Sequence, residues 1–485
     1  MATITDTLVD LGRGAFERGD MREAEQLFRR ALAAGRNDVE VLHFLGFIAR
    51  EKGDLADAGN FYAAALARSP ADAQLHNNLA DVRRAQNREA EALALYRRAA
   101  ALAPDLAEIH ANLGGLLMSL RRPDEALPHL LRALELRPDL IPVRNETTLA
   151  LSALGRYEEV VAHYRAAIRQ QPANADARYL EALALLATGD FARGWRRHES
   201  RWYAELGREK RRMFAAPAWL GEPNLAGRTI LLHAEQGFGD TLQFARYVPM
   251  VAALGDTVLL EVQPQVRPLL LGTPGTAGVF ARDEALPPFD TQCSLMSLPR
   301  AFRTTLASIP AEVPYLRVPP DRLQRWRERL GGASARRRIA IAWSGSQGGP
   351  WNRDMPLSAL LPLLQRADCE WHLAQVEIGD ADRRLLAETP SLVDHSAALA
   401  DFADTAALVS HMDLVISVDT ALAHLAGALA LPVWTLLPLG ADYRWMMQRP
   451  DSPWYPTMRL FRQPRLRDWA AVVDAVGVAL DAREA

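Results

Sequence analysis

The sequence predicts an α-solenoid followed by an α/β half built from two parallel-sheet units. Two observations carry this. Small residues recur at Ala24, Ala58, Ala92, Ala126, Val160 and Gly194, each 34 residues after the last. Beyond Arg228 that beat gives way to short apolar runs alternating with amphipathic stretches, the pattern of buried strands and covering helices. With 485 residues, 49% of them hydrophobic, the chain is long enough for two or three domains with their own cores.

Three more rows keep the 34-residue register: Phe28, Tyr62, Tyr96, Leu130 and Tyr164; Ala31, Ala65, Ala99, Ala133 and Ala167; and Pro70, Pro104, Pro138 and Pro172. Gly12, Gly46, Ala80, Gly114, Thr148 and Ala182 form another. This is the pattern of the tetratricopeptide repeat, two antiparallel helices per unit. Small residues mark close helix crossings, an aromatic fills the gap between units, and proline stops the second helix. One unit cannot bury its apolar face alone, so stacked units share a core. About six repeats over residues 1–205 are expected. The sixth places His198 and Arg201 in the aromatic and alanine slots, as suits a terminal unit that faces something other than a repeat. His43, His76, His110, His129 and His163 fall within repeats and read as helix-surface or inter-helix residues.

Residues 206–227 read as a linker, beginning with Arg208, Lys210, Arg211 and Arg212 and ending in a Pro/Gly-bearing segment. A first α/β unit follows over 228–320. Its strands are expected at Thr229–Ala234 and Thr257–Val262, with weaker ones near Val279 and Cys293, and a helix at Asp240–Leu254. After a helical connector at Asp321–Leu330 comes a second unit, 321–485. Its strand candidates are Ile339–Trp343, Trp371–Val376, Leu392–His395, Leu414–Val418 and Val433–Leu437. Helices fit at Leu357–Gln365, Asp380–Glu388, Asp404–His411, Thr420–Leu429 and Asp468–Leu480. Two such units place a cleft between them, with ligands at the carboxyl ends of the strands.

Composition excludes several function classes. A formal net charge of −3 gives no whole-chain electrostatic case for nucleic acid or anionic membrane. Two cysteines, Cys293 and Cys369, provide neither a disulfide framework nor metal-finger spacing, and read as small buried hydrophobes. Residues 1–10 lack a basic region followed by an apolar core, so no secretory signal is expected. No stretch reaches the roughly 18–20 apolar residues of a membrane span. A soluble, cytoplasmic protein is the expectation, with no cofactor and no metal.

Three constellations bear chemistry. In His233-Ala-Glu-Gln236-Gly237-Phe-Gly239-Asp240, a strand runs into two glycines that permit a tight turn, and Asp240 opens a helix. Asp240 fits two roles, a general base at the cleft mouth or a helix cap accepting backbone N–H bonds. The glycines do not match a dinucleotide fingerprint. In Val418-Asp419-Thr420-Ala421-Leu-Ala-His424, polar groups converge at a strand end, with His424 one turn beyond Thr420 on the same helix face. The helix N-terminus suits a phosphate, Thr420 can donate its hydroxyl, and His424 can bind or protonate a phosphate oxygen. The bland alternative is a capping pair beside a structural histidine. In Trp343-Ser344-Gly345-Ser346, followed by Trp351-Asn-Arg353-Asp354, a turn exposes backbone donors to an anion, and Arg353 either neutralises a diphosphate or is simply solvated. Asp380-Ala-Asp382 imitates a metal-binding Asp-x-Asp, but acidic residues are ordinary at a helix start.

The Gly-Phe-Gly-Asp240 turn and the Asp419-Thr-Ala-Leu-Ala-His424 motif, in that order and separation, resemble the lipopolysaccharide heptosyltransferases, glycosyltransferase family nine. The resemblance covers roughly Arg228 to Leu480. It implies the GT-B arrangement of two Rossmann-like domains facing a cleft, the first on the acceptor side and the second on the donor side, working without a metal. By position, Asp240 matches the family's proposed base. Asp419 and Thr420 match contacts to the donor's sugar and phosphate, and His424 matches a histidine at the donor. Arg353 stands about where the family often has a lysine. Ala421 replaces a common glycine.

Repeats fused to a GT-B half are also similar in plan to protein O-GlcNAc transferases and bacterial flagellin glycosyltransferases. In the former, asparagines of the inner superhelix face grip the acceptor; here Asn78 and Asn112 stand one period apart, with Phe44 and Glu146 in the neighbouring slots. The expected function is therefore transfer of a sugar from a nucleotide-sugar donor to a protein hydroxyl recruited by the repeats, with inversion. The alternatives are a non-catalytic scaffold carrying a degenerate GT-B module, and a transferase for lipid-linked or polysaccharide acceptors.

Overall fold

A computed structural model describes residues 4–208, 211–222, 225–255, 257–345 and 353–482, excepting the side chains of residues 206 and 208. The chain packs as two compact units, Met1–Leu151 and Ser152–Ala485. The repeat rhythm therefore runs past the first packing unit: the helices Tyr157–Gln170, Ala175–Ala187 and Phe191–His198 belong to the second.

In the first unit the rows seen in the sequence become contacts. The helix pairs are Ile4–Glu17 with Met21–Ala33, Val39–Glu51 with Leu55–Arg68, Ala73–Ala85 with Glu89–Leu102, and Ala107–Ser119 with Pro123–Leu136. Ala24, Ala58, Ala92 and Ala126 are fully buried, as are Ala31, Ala65, Ala99 and Ala133. Glycines of the first helices face the large side chains of the second. A Cβ on Gly46 would lie 2.9 Å from the Tyr62 ring, one on Gly12 3.0 Å from Phe28, and one on Gly114 2.5 Å from Leu130. Phe28, Tyr62 and Leu130 thus insert between the helices of their own repeat, where only a missing side chain leaves room. Pro70, Pro104 and Pro138 each follow a second helix by two residues, the first repeat having none, and His76 and His110 hydrogen-bond the Pro70 and Pro104 carbonyls at 3.0 and 3.1 Å.

The second unit contains two parallel sheets. The first has the order β3-β2-β1-β4, from β1 (Thr229–His233), β2 (Thr257–Val262), β3 (Thr276–Ala281) and β4 (Thr291–Ser294). The second has the order β10-β9-β8-β5-β6-β7. Its strands are β5 (Arg337–Ala342), β6 (Cys369–Leu373), β7 (Leu392–Asp394), β8 (Leu414–Val418), β9 (Val433–Leu437) and β10 (Met458–Arg462). Every pairing within both sheets is parallel. The apolar runs form these strands because both faces are covered; Ile339, Trp371, Leu414 and Trp434 lie in one core with Val472 and Val476 of the last helix, Trp469–Asp481.

Two expectations needed revision. The single helix expected at Asp240–Leu254 is Phe238–Phe244, a 3₁₀ turn at Ala245–Tyr247, and a short helix Val248–Ala252. Pro249 has no N–H to continue an unbroken ladder. β10 was not anticipated, because Arg459 and Arg462 interrupt its apolar run; Arg459 lies over the Trp434 and Phe461 rings at 5.8 and 4.7 Å. Part of the linker is also ordered against the sheet, with Trp219 N–H donating to the Gln292 carbonyl at 2.8 Å.

The atypical last repeat explains itself here. Arg201 is 1% exposed and donates to both oxygens of Glu235 (2.7 and 2.9 Å), to Glu199 (2.9 Å) and to Ser297 (2.8 Å). A fully buried His198 lies beside it. An alanine there would pack against another repeat; an arginine pairs with the acid that follows β1.

Candidate active site

In an open parallel sheet the loops diverge where strand order reverses, leaving a crevice for ligands. In the second sheet this point lies between β5 and β8. Ser344 and Gly345 follow β5, and Asp419 and Thr420 follow β8. The two loops touch: a Cβ on Gly345 would lie 3.3 Å from Thr420 Cγ2. The first sheet approaches from the other side through the turn after β1. A Cβ on Gly239 would stand 2.8 Å from His424 Cδ2, so the helix Phe238–Phe244 and the helix Ala421–Ala428 meet at glycine contact. The structure thus brings Asp240, Asp419, Thr420, Ala421 and His424 to one place.

Asp240 fills the capping role, accepting the Gly237 N–H at 2.8 Å. Its other oxygen pairs with Arg444, which reaches across from the second lobe. Arg444 is 8% exposed and also donates to Gln243 Oε1 and Asp442 Oδ1, both at 2.7 Å. Burial raises the Asp240 carboxyl above the ordinary carboxylate range, against the opposing pull of Arg444. The Arg444 guanidinium stays charged despite its burial, since Asp442, Asp240 and Asp419 surround it.

Asp419 is 4% exposed, with Oδ2 lying 3.5 Å from Arg353 Nη1. That oxygen has no hydrogen-bond partner among the described residues. Burial pushes this carboxyl up, and Arg353 resists. Thr420 caps the helix Ala421–Ala428, its hydroxyl accepting from Leu422 N–H and pairing with Ser417 at 2.9 Å. His424 Nδ1 pairs with Tyr455 OH at 3.0 Å, and its ring stacks on Trp445, 5.0 Å between centroids. Burial, reinforced by Arg444, Arg246 and Arg353, drives its pKa well below the usual imidazole value. A neutral ring can hydrogen-bond a phosphate oxygen, but it holds no proton to give up near neutrality.

Several expected ligand contacts are otherwise engaged. Gln375 Oε1 accepts the N–H groups of both Trp343 and Ser344 at 3.0 Å, its Nε2 donates to Ser344 Oγ at 2.6 Å, and Gly345 N–H goes to Asp354 at 3.0 Å. The Ser344 and Gly345 donors therefore do not stand open to an anion: the Gln375 amide from after β6 engages Ser344, and Asp354 takes the Gly345 N–H. Ser346 lies outside the described residues. Gln236 holds the turn through its carbonyl, which accepts from Gln263 at 2.9 Å. His233 points its Nε2 at Gln292 Oε1, 3.0 Å away, toward β4. Asn78 is buried, bonded to Gln74 (3.1 Å) and His43 (3.2 Å), and Asn112 donates to Asn77 at 3.1 Å. These asparagines link neighbouring repeats instead of forming an open ladder. Asp382 accepts the Trp343 indole N–H at 2.8 Å, a structural use for the decoy Asp-x-Asp.

The residue that sequence reasoning missed is Arg444. The signal was its position, seven residues past the carboxyl end of β9, where ligand loops of such sheets belong. Its loop is braced from behind by the later repeats. Tyr157 OH donates to the Ala441 carbonyl at 2.7 Å, Trp195 lies 5.9 Å from Tyr443, and a Cβ on Gly440 would strike the Ser152 carbonyl at 2.0 Å.

The family model for the tetratricopeptide repeat matches residues 9–73, 48–107, 77–141 and 149–195. The N-terminal region is a tetratricopeptide-repeat array. The model for glycosyltransferase family 9 (heptosyltransferase) matches residues 384–440, which take in Asp419–His424 and stop just before Asp442 and Arg444. Together with the two parallel sheets, this match supports a repeat-bearing glycosyltransferase of GT-B architecture. Protein FlbA of Caulobacter vibrioides is 27% identical over 324 residues, covering 60% of this chain and 52% of FlbA. The chain thus spans about half the length of that curated relative. Solved structures similar to the repeats include YrrB, described as a TPR protein with an unusual peptide-binding site (21% identity, 38% of this chain and 94% of that one, TM-score 0.35). PilF of Pseudomonas aeruginosa is another (21%, 42% and 92%, TM-score 0.36), as is MamA (24%, 35% and 92%, TM-score 0.32). No helix among the described residues is long and apolar enough to cross a membrane.

Proposed function

We propose that this chain transfers a sugar from a nucleotide-sugar donor to a hydroxyl acceptor, a protein side chain recruited by the repeats. The observation that carries this is the meeting of Asp240 from one lobe with Arg444, Asp419 and His424 from the other at the carboxyl ends of two parallel sheets. Arg444 and Arg353 supply the cationic charge a departing nucleoside diphosphate requires, and neutral His424 hydrogen-bonds its oxygens. As the diphosphate takes Arg444, Asp240 loses its counter-ion and becomes the proton acceptor. The acceptor hydroxyl gives its proton to Asp240, its oxygen bonds to the anomeric carbon, and the bond from that carbon to the diphosphate oxygen breaks. One displacement from the opposite face inverts the centre. These residues perform the step without a metal.

Asp240→Asn keeps an acceptor for Gly237 N–H but removes the base. It should bind the donor like the wild type and lose turnover by about 10²–10⁴. Undiminished turnover would remove Asp240 from the chemistry. A second reading, a scaffold whose GT-B half only packs or binds, draws support from the satisfied Ser344–Gly345 donors and from the cap made by Asp240. Calorimetric titration with a panel of nucleotide sugars tests this, since absence of binding to every donor favours the scaffold.

A further inference from the structure

The first sheet has its own reversal of strand order, between β1 and β4. A cavity of about 450 Å³ opens there, walled by the ends of both strands, the last repeat and the ordered part of the linker. That volume suits a small-molecule ligand. Its aromatic side comes from Trp202, Tyr203 and Phe214, with the Phe214 ring 5.0 Å from that of His233.

Charge is uneven around this cavity. Of the nearby acids, Glu261 is paired with Arg212, while Glu199, which lines the cavity, and Glu235 share Arg201, leaving one negative charge against the two arginines named next. Arg211 and Arg300 also line it, and neither has a carboxylate within ion-pair distance among the described residues. Arg211 lies over the Tyr203 ring at 4.9 Å. His233 is 3% exposed, and its Nδ1 lacks a hydrogen-bond partner among the described residues while Nε2 is engaged by Gln292.

We infer that this cavity binds a small anionic sugar, a monosaccharide-sized ring carrying a carboxylate or a phosphate. Arg211 and Arg300 hold the anion, and the aromatic side chains cover the ring face. The cavity includes Trp202, Tyr203 and residues 211–220, so it is distinct from the Asp240–Arg444 site.

The test is calorimetric titration of the full chain with glucuronate, glucose 6-phosphate, glucose and inorganic phosphate, with no nucleotide sugar present. The outcome is therefore separate from that of the transfer reaction. At least one anionic sugar should bind saturably and about tenfold or more tighter than glucose. The Arg211→Ala/Arg300→Ala variant should reduce that binding to the glucose level, and Arg353→Ala should leave it unchanged. Three results overturn the inference: anionic sugars no tighter than glucose, inorganic phosphate as tight as glucose 6-phosphate, or wild-type affinity in the double variant.

Discussion

Replacing Arg201 with methionine keeps most of the side-chain volume and removes the charge. Among the described residues, Glu235, whose side chain is 2% exposed, would then retain only the hydrogen bonds from Ser294 and, at 3.3 Å, from Gln236. Four charge-assisted hydrogen bonds from Arg201 disappear at once. Breaking a buried ion pair from one side costs about 3–5 kcal/mol, mostly because the remaining charge is stranded. Arg201→Met should therefore lower the unfolding free energy by about that amount, and adding Glu235→Gln should restore more than half. The paired Glu235 carboxyl sits below its ordinary value despite burial, because Arg201 holds it there. Its stabilisation is present above the unfolded-state carboxyl pKa and fades as pH falls through the folded one. The gap between wild type and Arg201→Met should accordingly narrow in acid. All 11 tryptophans lie between Trp195 and Trp469, so urea denaturation followed by tryptophan emission reports on the second unit alone. A single variant within about 0.5 kcal/mol of wild type, or a double variant no better than the single, would refute the reasoning.

Gly239→Ala places a Cβ against His424 and forces two helices apart; we expect a loss of about 1–3 kcal/mol in stability with reduced donor affinity, read by thermal melting and titration. Arg444→Lys keeps the charge but loses the planar fork that reaches Gln243, Asp442 and Asp240; kcat/KM should fall about tenfold or more, and an unaffected rate would show that charge alone suffices. His395 is driven down to about 4 by burial and by His372, so between pH 6.5 and about 4 the unfolded chain binds a proton that the folded site refuses. Stability should fall with pH across that window, by up to about 3 kcal/mol, and His395→Gln should flatten the acid limb of the urea-midpoint profile.

The repeats were legible because a 34-residue period writes itself into every unit, and the strands were legible because burial on both faces makes them continuously apolar. The cap made by Asp240 was legible too, because its partner Gly237 lies three residues away in the chain. Arg444 was not, since nothing beside it in the chain announces a partner 204 residues away. The Ser344 donors misled for the complementary reason, that the group satisfying them, Gln375, arrives from the loop after another strand. Asn78 and Asn112 show the same limit, since periodic spacing reveals that a polar residue recurs but not whether its hydrogen bonds close within the array.

The loop bearing Arg444 leans on Ser152, Tyr157 and Trp195, so the wall of the cleft is partly made of repeat. Cutting the chain at residue 205, the natural place by rhythm, would amputate that support and also orphan Glu235. Kinetic defects in such a truncated protein would say little about recruitment. On the proposed transfer reaction, substitutions inside the last two repeats should register as changes in turnover, making this stretch of solenoid a buttress of the site.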